Sequence, residues 1–458
     1  LQVQDESFWD LLGSYATDYN GSRVRLFPAS KRLRYWMPFQ AVDRTIEFLR
    51  RLQRETPVAV TFADDAEKFG LWPKTHQWVY EEGWLDQFFS ALERERTWLA
   101  TATFQDYAES TAPDGMVALP CGSYEEMLEW SGGSFRNFFT KYPEANAMQQ
   151  KMLRISETLQ SFPANRLPQA LQRARQALYQ AQCNCAYWHG VFGGLYLTHL
   201  RRAVYAKLIE AEQLVDRAVR TRTGRHHGGM NGSRVAVADV DADGREELCL
   251  KTATMGLVVD PAEGGTLTEW SLYGPKINLL NTLTRRPEPY HEKLRMRQAQ
   301  LAPSPGQGVA SIHDLLGVKE EHLESHLVYD DHRRLAFLDY ALQSLPGLHE
   351  VTRSAWGERR LWSVGPFQVA RVLEGKQAAG HVGVVMARAM PHGRLQKTVR
   401  VALSRPVLEC RYDVEDLSIP VVALEFNWAL RDEQRLTPRQ SSDVTHLEVA
   451  DPSAGIAL

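Results

Sequence analysis

The stretch VAVTFADDAEKFG, residues 58–70, joins an apolar run rich in β-branched side chains to two adjacent acids, Asp64 and Asp65. Such a run predicts a buried strand. The pair of carboxylates at its end has two interpretations. Asp is a preferred residue at the start of a helix, and acids in a first helical turn suit the helix dipole. The carboxyl ends of strands are also where catalytic groups of α/β folds collect, so the second interpretation is an active site.

The composition of the 458-residue chain, with 44% hydrophobic and 24% charged residues, is typical of a soluble globular protein of two or three domains. A net charge of −3 predicts neither a nucleic-acid partner nor a membrane partner. No apolar run reaches the roughly 20 residues that span a bilayer. The five scattered cysteines predict reduced thiols and a cytoplasmic location. No motif predicts a cofactor, and a homodimer is left open.

The chain divides into parts with different patterns. Residues 1–110 alternate strand and helix patterns, which indicates a mostly parallel sheet. Residues 111–222 are mainly helical, and a glycine-rich linker follows at residues 223–234. Residues 235–458 hold many short β-rich runs, which predict an antiparallel β-sandwich. The predicted fold class is therefore α/β followed by all-β. The early strands are predicted at RVRLFP (23–28), PVAVTFA (57–63), TWLATA (97–102) and VALP (117–120).

The segment CNCAYWHGVFGGLY, residues 183–196, is the second informative stretch. It places Tyr187, Trp188 and His189 beside several glycines. Flat aromatic faces suit sugar rings, and glycines let a backbone approach a ligand closely. A packed aromatic corner of a protein core has the same composition. The site and the core interpretations therefore both stay open.

The acidic loop DVDADGREE, residues 239–247, has oxygen-bearing side chains at alternate positions, as a calcium loop does. Leu250 stands at the twelfth position, where an EF-hand has a bidentate glutamate. The sequence therefore favours a hairpin turn that opens the β-rich part, and it predicts no metal site.

Five segments together resemble glycoside hydrolase family 57, in particular its 4-α-glucanotransferase branch. In chain order they are VRLFPASKRLRYWMPF, TFADDAEKFGLWPKTHQWVYEEGWL, FFTKYPEANAMQQKML, QCNCAYWHGVFGGLYLTHLRR and NLLNTLTRRPEPYHEKL. The resemblance implies a (β/α)7 barrel, a three-helix segment that completes the catalytic domain, and a C-terminal β-sandwich that is truncated here. It also implies retaining chemistry on α-1,4-glucans or maltooligosaccharides.

The resemblance implies that Asp65 is the general acid/base, because it occupies the position of the family's acid in the DDGEKFG segment. Asp64 is implied to shape the site and to help keep a proton on Asp65 by like-charge repulsion. Ala66 replaces the usual glycine, and Cys185 replaces an Asp of some members, which puts a weaker hydrogen-bonding group there. The implied substrate-binding residues are Asp64, Glu67, Lys68, Trp72, Tyr187, Trp188 and His189.

A retaining glycosidase needs two carboxyl groups about 5 Å apart, one as nucleophile and one as acid/base. The family's nucleophile is a glutamate on an earlier barrel strand, and it is expected upstream of Leu1. The chain is therefore expected to be an internal fragment that is inactive alone. Three activities stay open: transfer between α-1,4-glucans, hydrolysis of the α-amylase type, and glucan binding without catalysis.

Overall fold

The computed structural model describes most of the chain as two compact units. The first unit comprises Leu1–Leu128 with Met296–His322, and the second comprises Glu129–Arg295 with Leu323–Leu458. The described residues are 11–19, 21–119, 123, 125–163, 167–190, 192–223, 234–296, 323–362, 365–374, 378–390, 393–416, 419–430, 450–451 and 456–457. Within these ranges no helix is long and apolar enough to cross a membrane, and every cysteine is a free thiol.

The first unit combines short strands with several helices. Strand β1 (Tyr15–Tyr19) pairs with β2 (Ser22–Leu26) in antiparallel orientation and with β3 (Gly115–Met116) in parallel orientation. The apolar face of the amphipathic helix α2 (Val42–Arg51) packs on α3 (Trp84–Arg94), which buries Ile46, Phe48 and Trp84. The elements are β1 (Tyr15–Tyr19), β2 (Ser22–Leu26), α1 (Lys31–Trp36), α2 (Val42–Arg51), a 3₁₀ turn (Ala66–Phe69), a π-helical turn (Gln77–Glu81), α3 (Trp84–Arg94), α4 (Phe104–Ser110), β3 (Gly115–Met116) and α5 (Glu125–Ser131), whose last residues belong to the second unit.

Three strands that the sequence predicts in the first unit are not formed. Residues 57–63 contain no strand, and their pairing is limited to single contacts, such as the 2.8 Å bond from Ser30 N to the Thr61 carbonyl oxygen. Residues 97–102 and the described part of 117–120 contain no strand either. A strand needs a neighbouring strand that forms hydrogen bonds along its length. Among the described residues of the first unit, none of the strands β1–β3 pairs in this way with any of the three segments. The three strand predictions are therefore wrong.

The helical segment of the second unit agrees with the sequence pattern. Apolar side chains three and four positions apart bury Met148, Leu171 and Leu208 in one core. The predicted linker, residues 223–234, lies outside the described residues except for its first and last positions. The elements are α6 (Asn137–Lys141), α7 (Pro143–Gln160), α8 (Gln169–Ala181), two 3₁₀ turns (Asn184–Ala186 and Gly194–Tyr196) and α9 (Thr198–Thr223).

The rest of the second unit is built from antiparallel sheets. The elements are β4 (Arg234–Ala238), β5 (Glu247–Lys251), β6 (Met255–Asp260), β7 (Thr266–Leu272), β8 (Ile277–Asn278), α10 (Pro289–Met296), a 3₁₀ turn (Leu323–His326), β9 (Ala336–Leu342), α11 (Leu348–Thr352), a 3₁₀ turn (Gly357–Arg359), β10 (Arg360–Trp362), β11 (Gln368–Leu373), β12 (His381–Met390), β13 (Gly393–Ala402), β14 (Leu408–Glu415), β15 (Val421–Phe426), β16 (Ala450–Asp451) and β17 (Ile456–Ala457). One sheet has the strand order β10-β9-β7-β6-β5-β4, with β15 on β9 and β8 on β7, and a second has the order β11-β12-β13-β14.

Both large sheets contribute to one hydrophobic core. This core contains Leu257 of β6, Val384 of β12 and Val399 of β13. Val384 and Val399 are paired opposite each other on their neighbouring strands. The antiparallel arrangement predicted for this part is confirmed. The structure groups helices α6–α9 with these sheets, whereas the sequence assigns residues 111–222 to the catalytic domain. The domain boundaries stay predictions.

Candidate active site

The acid pair after residues 58–63 is the first candidate site, and its two carboxylates differ in exposure. The Asp64 side chain is 1% exposed and the Asp65 side chain 52%. Asp64 Oδ1 lies 2.7 Å from the Lys68 ammonium and accepts a 2.8 Å bond from Asp65 N–H. Asp65 stands at the start of the 3₁₀ turn, but its carboxylate accepts no capping hydrogen bond. The helix-cap interpretation therefore does not account for the half-exposed Asp65 carboxylate.

Arg34 of α1 belongs to this site, and the sequence does not predict it. Its guanidinium Nη2 lies 3.4 Å from Asp65 Oδ2, and its Nε lies 3.9 Å from Asp64 Oδ1. Its carbonyl oxygen accepts a 2.8 Å bond from the Lys68 ammonium. Two cations thus face two carboxylates, so the local charge is balanced. Because Arg34 is 31 residues from Asp65 in sequence, no local spacing indicates the contact. The effect of Asp64 on the proton of Asp65 stays a prediction.

Lys68 is buried between aromatic rings and the acid pair. Its ammonium lies 5.4 Å from the ring centroid of Trp72 and 5.9 Å from that of Phe39. Trp72 stacks on Phe39 with centroids 5.8 Å apart and ring planes 27° apart. An ammonium held by rings and a carboxylate is well placed to neutralise Asp64. These contacts favour a supporting role for Lys68, whereas the neighbouring Glu67 is exposed.

The turn between α8 and α9 is the second candidate site, and it holds Tyr187, Trp188 and His189. Tyr187 is buried, and its hydroxyl donates a 2.8 Å bond to the Ala181 carbonyl oxygen. Burial raises the pKa of the Tyr187 hydroxyl above its usual range. The Trp188 indole is half-buried and contacts the Phe138 ring edge-on at 5.9 Å. The contacts favour the core interpretation for Tyr187, while Trp188 keeps part of its surface accessible.

The glycine at position 194 is required by the chain's own backbone. Its φ is +44°, and a Cβ there would lie 2.2 Å from the Trp188 carbonyl oxygen. Leu195 N donates to the same oxygen at 2.8 Å. At Gly194 the close backbone approach is therefore within the turn itself, not toward a ligand. Phe192, two residues earlier, is 65% exposed, which leaves an aromatic ring on the surface of this turn.

A buried hydrogen-bond network surrounds His189, and its centre, Glu288, is a residue that the sequence does not predict. Tyr142 OH donates to Glu288 Oε1 at 2.5 Å and lies 2.6 Å from His189 Nε2. Tyr196 OH donates to the same Glu288 oxygen at 2.5 Å, and the Lys141 ammonium donates to Oε2 at 2.6 Å. Burial lowers the pKa of His189, which favours a neutral imidazole. Tyr142 and Glu288 are 146 residues apart, so no motif spacing predicts their contact.

The acidic loop at residues 239–246 forms the predicted hairpin, because β4 and β5 pair in antiparallel orientation on either side of it. Carboxylate oxygens of Asp239, Asp241 and Glu247 lie within 4.8 Å of one another. Carboxylate oxygens suit a hard cation. The loop also has internal bonds that explain its shape: Asp239 accepts a 3.0 Å bond from Gly244 N, and Glu247 accepts a 2.7 Å bond from a main-chain N–H.

The predicted site residues fall into two groups, each in one unit. The first unit brings together Asp64, Asp65, Glu67, Lys68 and Trp72, and the second holds Tyr187, Trp188 and His189. In the first group, the accessible Asp65 and Trp72 lie next to the buried side chains of Asp64 and Lys68. In the second group, the half-buried Trp188 lies between the buried Tyr187 and His189.

Three family models match the chain in order along the sequence. Glycosyl hydrolase family 57 matches residues 3–120, the middle domain of alpha-amylase/4-alpha-glucanotransferase matches residues 133–215, and the C-terminal part of the same enzymes matches residues 239–449. The 4-alpha-glucanotransferase of Thermococcus litoralis is 30% identical over 480 residues, which cover 98% of this chain and 68% of the relative. The chain belongs to glycosyl hydrolase family 57. The family resemblance of the five sequence segments is thereby confirmed.

Other proteins similar to this chain are named either alpha-amylases or 4-alpha-glucanotransferases. The "Alpha-amylase 1" of Dictyoglomus thermophilum is 32% identical over 453 residues, 92% of this chain and 62% of the relative. The 4-alpha-glucanotransferase of Thermococcus kodakarensis is 34% identical over 459 residues, 93% of this chain and 64% of the relative. The chain therefore spans somewhat less than two thirds of the length of these two relatives.

A solved structure of a 4-alpha-glucanotransferase has the same mixed helix-and-sheet fold with antiparallel sheets. The crystal structure of the Thermococcus litoralis 4-alpha-glucanotransferase matches 98% of this chain and 67% of its own chain, with a TM-score of 0.72 and 27% sequence identity.

Proposed function

We propose that this chain carries the acid/base half of a retaining α-1,4-glucan enzyme, a 4-α-glucanotransferase in which Asp65 is the general acid/base. The contrast within the acid pair carries the proposal. Asp64 is buried and ion-paired, whereas Asp65 is half exposed, and both lie in the region that the family 57 model matches. In the proposed fold, residues 1–110 are the later part of a (β/α)7 barrel and the C-terminal sheets form a β-sandwich.

The proposed reaction proceeds in two displacements. In the first, the proton of the Asp65 carboxyl group moves to the glycosidic oxygen while the bond from that oxygen to the anomeric carbon breaks. A glutamate, the nucleophile of the proposed mechanism, attacks the same carbon and forms a glycosyl–enzyme ester. In the second, Asp65 takes the proton of an acceptor 4-hydroxyl, and the acceptor oxygen displaces the glutamate. Two inversions at the anomeric carbon retain its configuration.

The aromatic side chains at the two candidate sites are proposed to stack on sugar rings. Trp72 and Trp188 are half-buried, so each indole is fixed by packing while part of its face stays accessible. The exposed Glu67 is proposed to bond sugar hydroxyls. Lys68 and His189 are buried, and their contribution to sugar binding is proposed to be the placement of these neighbours.

Hydrolysis is the second candidate function, because several similar relatives are named alpha-amylases. It shares the first displacement with transfer and differs only in the acceptor, which is water in place of a sugar hydroxyl. The acceptor preference depends on how well the acceptor side of the cleft binds sugar and excludes water.

Product analysis after incubation of the full-length protein with maltoheptaose tests the proposal. A ladder of maltooligosaccharides both longer and shorter than the substrate is expected for a transferase. Glucose and maltose alone would assign the protein to the amylases. Unchanged maltoheptaose would contradict both activities and favour a glucan-binding protein without catalysis.

Replacement of Trp188 by alanine tests the proposed stacking contact. Trp188→Ala is expected to weaken maltoheptaose binding, measured by calorimetric titration, with a smaller change in thermal stability. A large drop in Tm with unchanged affinity would show that the indole serves the core alone.

A further inference from the structure

The Glu288 side chain is 1% exposed, yet its carboxylate accepts three hydrogen bonds. Two come from tyrosine hydroxyls, and the third comes from the Lys141 ammonium, which also forms an ion pair with Glu288. Burial alone would raise the pKa of Glu288, but the bonds from Lys141, Tyr142 and Tyr196 hold it below its ordinary value. Glu288 is therefore an ionised carboxylate, which can accept hydrogen bonds but cannot donate one.

The position of the Tyr142 proton follows from this charge. The hydroxyl has one proton, and besides the Tyr196 hydroxyl, which itself donates to Glu288, it faces Glu288 Oε1 at 2.5 Å and His189 Nε2 at 2.6 Å. If the proton pointed to His189, two oxygens would face each other at 2.5 Å without a proton between them, which is repulsive. The proton therefore points to Glu288, and His189 Nε2–H must donate to the Tyr142 oxygen. Neutral His189 is then the Nε2–H tautomer, with Nδ1 unprotonated.

We propose that Glu288 is a positioning residue: through Tyr142 it fixes the tautomer and the ring orientation of His189, and with them the turn at residues 183–197 that presents Trp188. The part that concerns sugar binding at Trp188 rests on the proposed function. Neither the sequence segments nor the family matches assign a role to Glu288.

The packing around His189 shows how one proton position can fix a whole turn. Its ring makes edge-on contacts with Trp130 at 5.5 Å, Tyr142 at 5.3 Å and Tyr196 at 5.0 Å, so the ring cannot rotate without displacing them. The preceding residue, Trp188, is held through its carbonyl oxygen by Leu195 N at 2.8 Å. A change at the Glu288 end of the chain of bonds is thus transmitted to the backbone of Trp188.

The carboxylate also joins elements that are distant in sequence. Lys141 ends α6, Tyr142 directly precedes α7, Tyr196 ends a 3₁₀ turn, and Glu288 directly precedes α10. Three donors from two segments, the Lys141–Tyr142 junction and Tyr196, converge on two oxygens. An uncharged amide could not accept all of them, because its nitrogen is a donor.

The test is Glu288→Gln in the full-length protein with ¹⁵N-labelled histidines. In the wild type, NMR is expected to show His189 as the Nε2–H tautomer. In the variant, the amide oxygen is expected to keep the charged Lys141 donor, which turns the amide NH2 group toward Tyr142. Tyr142 then accepts from the amide and donates to His189 Nε2, and the tautomer is expected to change to Nδ1–H. The KM for maltoheptaose is expected to rise on the order of tenfold, with a smaller change in kcat, since the turn is displaced but the acid/base is not.

Two further variants keep the result interpretable. Tyr142→Phe removes the bridging hydroxyl and leaves the Lys141–Glu288 ion pair, so it serves if Glu288→Gln does not fold. Glu425→Gln is the matched control, because Glu425 also contacts a histidine, His332, at 2.9 Å and a tyrosine hydroxyl, but shares no partner with Glu288. It is expected to change the His332 resonances and to leave His189 and KM unaltered.

The outcomes separate this inference from the proposed function. An Nδ1–H tautomer of His189 in the wild type would overturn the inference, and so would unchanged His189 resonances in both Glu288→Gln and Tyr142→Phe. A changed tautomer with unchanged KM would overturn the positioning role. If the wild type neither binds nor converts maltoheptaose, the proposed function fails, and the tautomer still decides the role of Glu288 toward His189.

Discussion

Asp65 in the first unit and Glu288 in the second unit are both carboxylates beside a cation, but their surroundings are opposite. The Asp65 side chain is 52% exposed, and its contact with Arg34 Nη2 is 3.4 Å long. The Glu288 side chain is 1% exposed and accepts bonds of 2.5–2.6 Å from three donors. An exposed carboxyl group with one loose partner can exchange a proton with a substrate, whereas a buried one with three donors cannot. The difference separates a group suited to chemistry from a group suited to holding structure.

The same contrast exists inside the first unit, between neighbours in sequence. Asp64 and Asp65 are adjacent, but only Asp64 is enclosed by Lys68 and the rings around it. A buried acid with a buried cation is costly to disturb, since either partner alone would be an uncompensated charge. Substitutions can test this division between carboxylates that take part in chemistry and carboxylates that hold structure.

The largest effect is expected at Asp65. Asp65→Asn in the full-length protein should reduce the rate of maltoheptaose conversion at least about 100-fold, because the amide cannot act as the general acid. Thermal stability should change little, since the side chain is half exposed. Initial rates and Tm measured on the same preparation check both statements. Asp43→Asn, an exposed aspartate of the same unit, is the control and should keep wild-type rates. Near-wild-type turnover of Asp65→Asn would remove Asp65 from the mechanism.

The second effect concerns the cations that face the buried acids. Lys68→Met should lower the free energy of unfolding by about 3 kcal/mol, because it leaves the buried Asp64 carboxylate with only the distant Arg34 guanidinium. Lys141→Met should cost less, because the Lys141 side chain is 42% exposed against 5% for Lys68, and Glu288 keeps both tyrosine bonds. Denaturant titration of both variants measures the difference. Equal losses would show that burial of the cation does not set the energy of these pairs.

The sequence predicts this contrast only in part. The helix α2 and the helices α7–α9 follow from apolar spacing, because each pattern is local and independent of the rest of the fold. Asp64 and Asp65 are found in the same way, as a pair at the end of an apolar run. Which of the two is buried depends on Lys68 and on rings from other parts of the unit, and no local pattern contains that information.

The residues that the sequence misses are joined to the site by long-range contacts. Arg34 of α1 contacts the acid pair, and Glu288, which follows strands β4–β8 in the chain, contacts His189 through Tyr142. The strand prediction for residues 57–63 fails for a related reason. Its β-branched composition is favourable, but a strand also requires a neighbour, which local composition cannot specify.

A third, smaller effect is expected at Tyr196, the second tyrosine that donates to Glu288. Tyr196→Phe removes one of the donors to Glu288 and should lower the free energy of unfolding by about 1.5 kcal/mol, the usual size for a hydrogen bond to a charged group. It leaves the bonds from Tyr142 to Glu288 and from His189 to Tyr142, so the His189 tautomer should be unchanged. Denaturant titration and histidine NMR measure the two results. A tautomer change in this variant would show that Tyr196, not Tyr142, sets the proton position.

The smallest effect concerns two histidines, His189 and His332, that each lie near a glutamate and a tyrosine. Their pKa values are shifted in opposite directions. Burial lowers the pKa of His189, with Lys141 acting in the same direction. Glu288 acts in the opposite direction, but its Oε2 lies 3.8 Å from His189 Nε2 and the direct hydrogen bond of the ring is with Tyr142. For His332, burial acts in the same direction, but direct bonds to Glu425 and Asp331 raise its pKa overall. The order of the three residue types thus decides the charge of the histidine.

The two histidines affect stability in opposite pH ranges. A histidine with a lowered pKa in the folded state costs stability as the pH falls below about 6.5, since the unfolded chain then binds the proton more readily. A histidine with a raised pKa contributes stability that is fully present below about 6.5 and is lost as the pH rises through its folded pKa. NMR titration should therefore place the pKa of His189 below and that of His332 above the value of free histidine.

The stability of the protein between pH 6.5 and 8 tests the His332 cluster. His332→Gln should remove part of the loss of stability over this range, because the raised pKa of His332 is the source of that part. The effect should amount to about 1.4 kcal/mol for each pH unit by which the folded pKa of His332 exceeds the unfolded one. Tm measured across the range in the wild type and the variant checks it. An unaltered Tm profile in the variant would mean that protonation of His332 contributes no stability in this pH range. A protonated His189 at neutral pH would contradict the contrast between the two clusters.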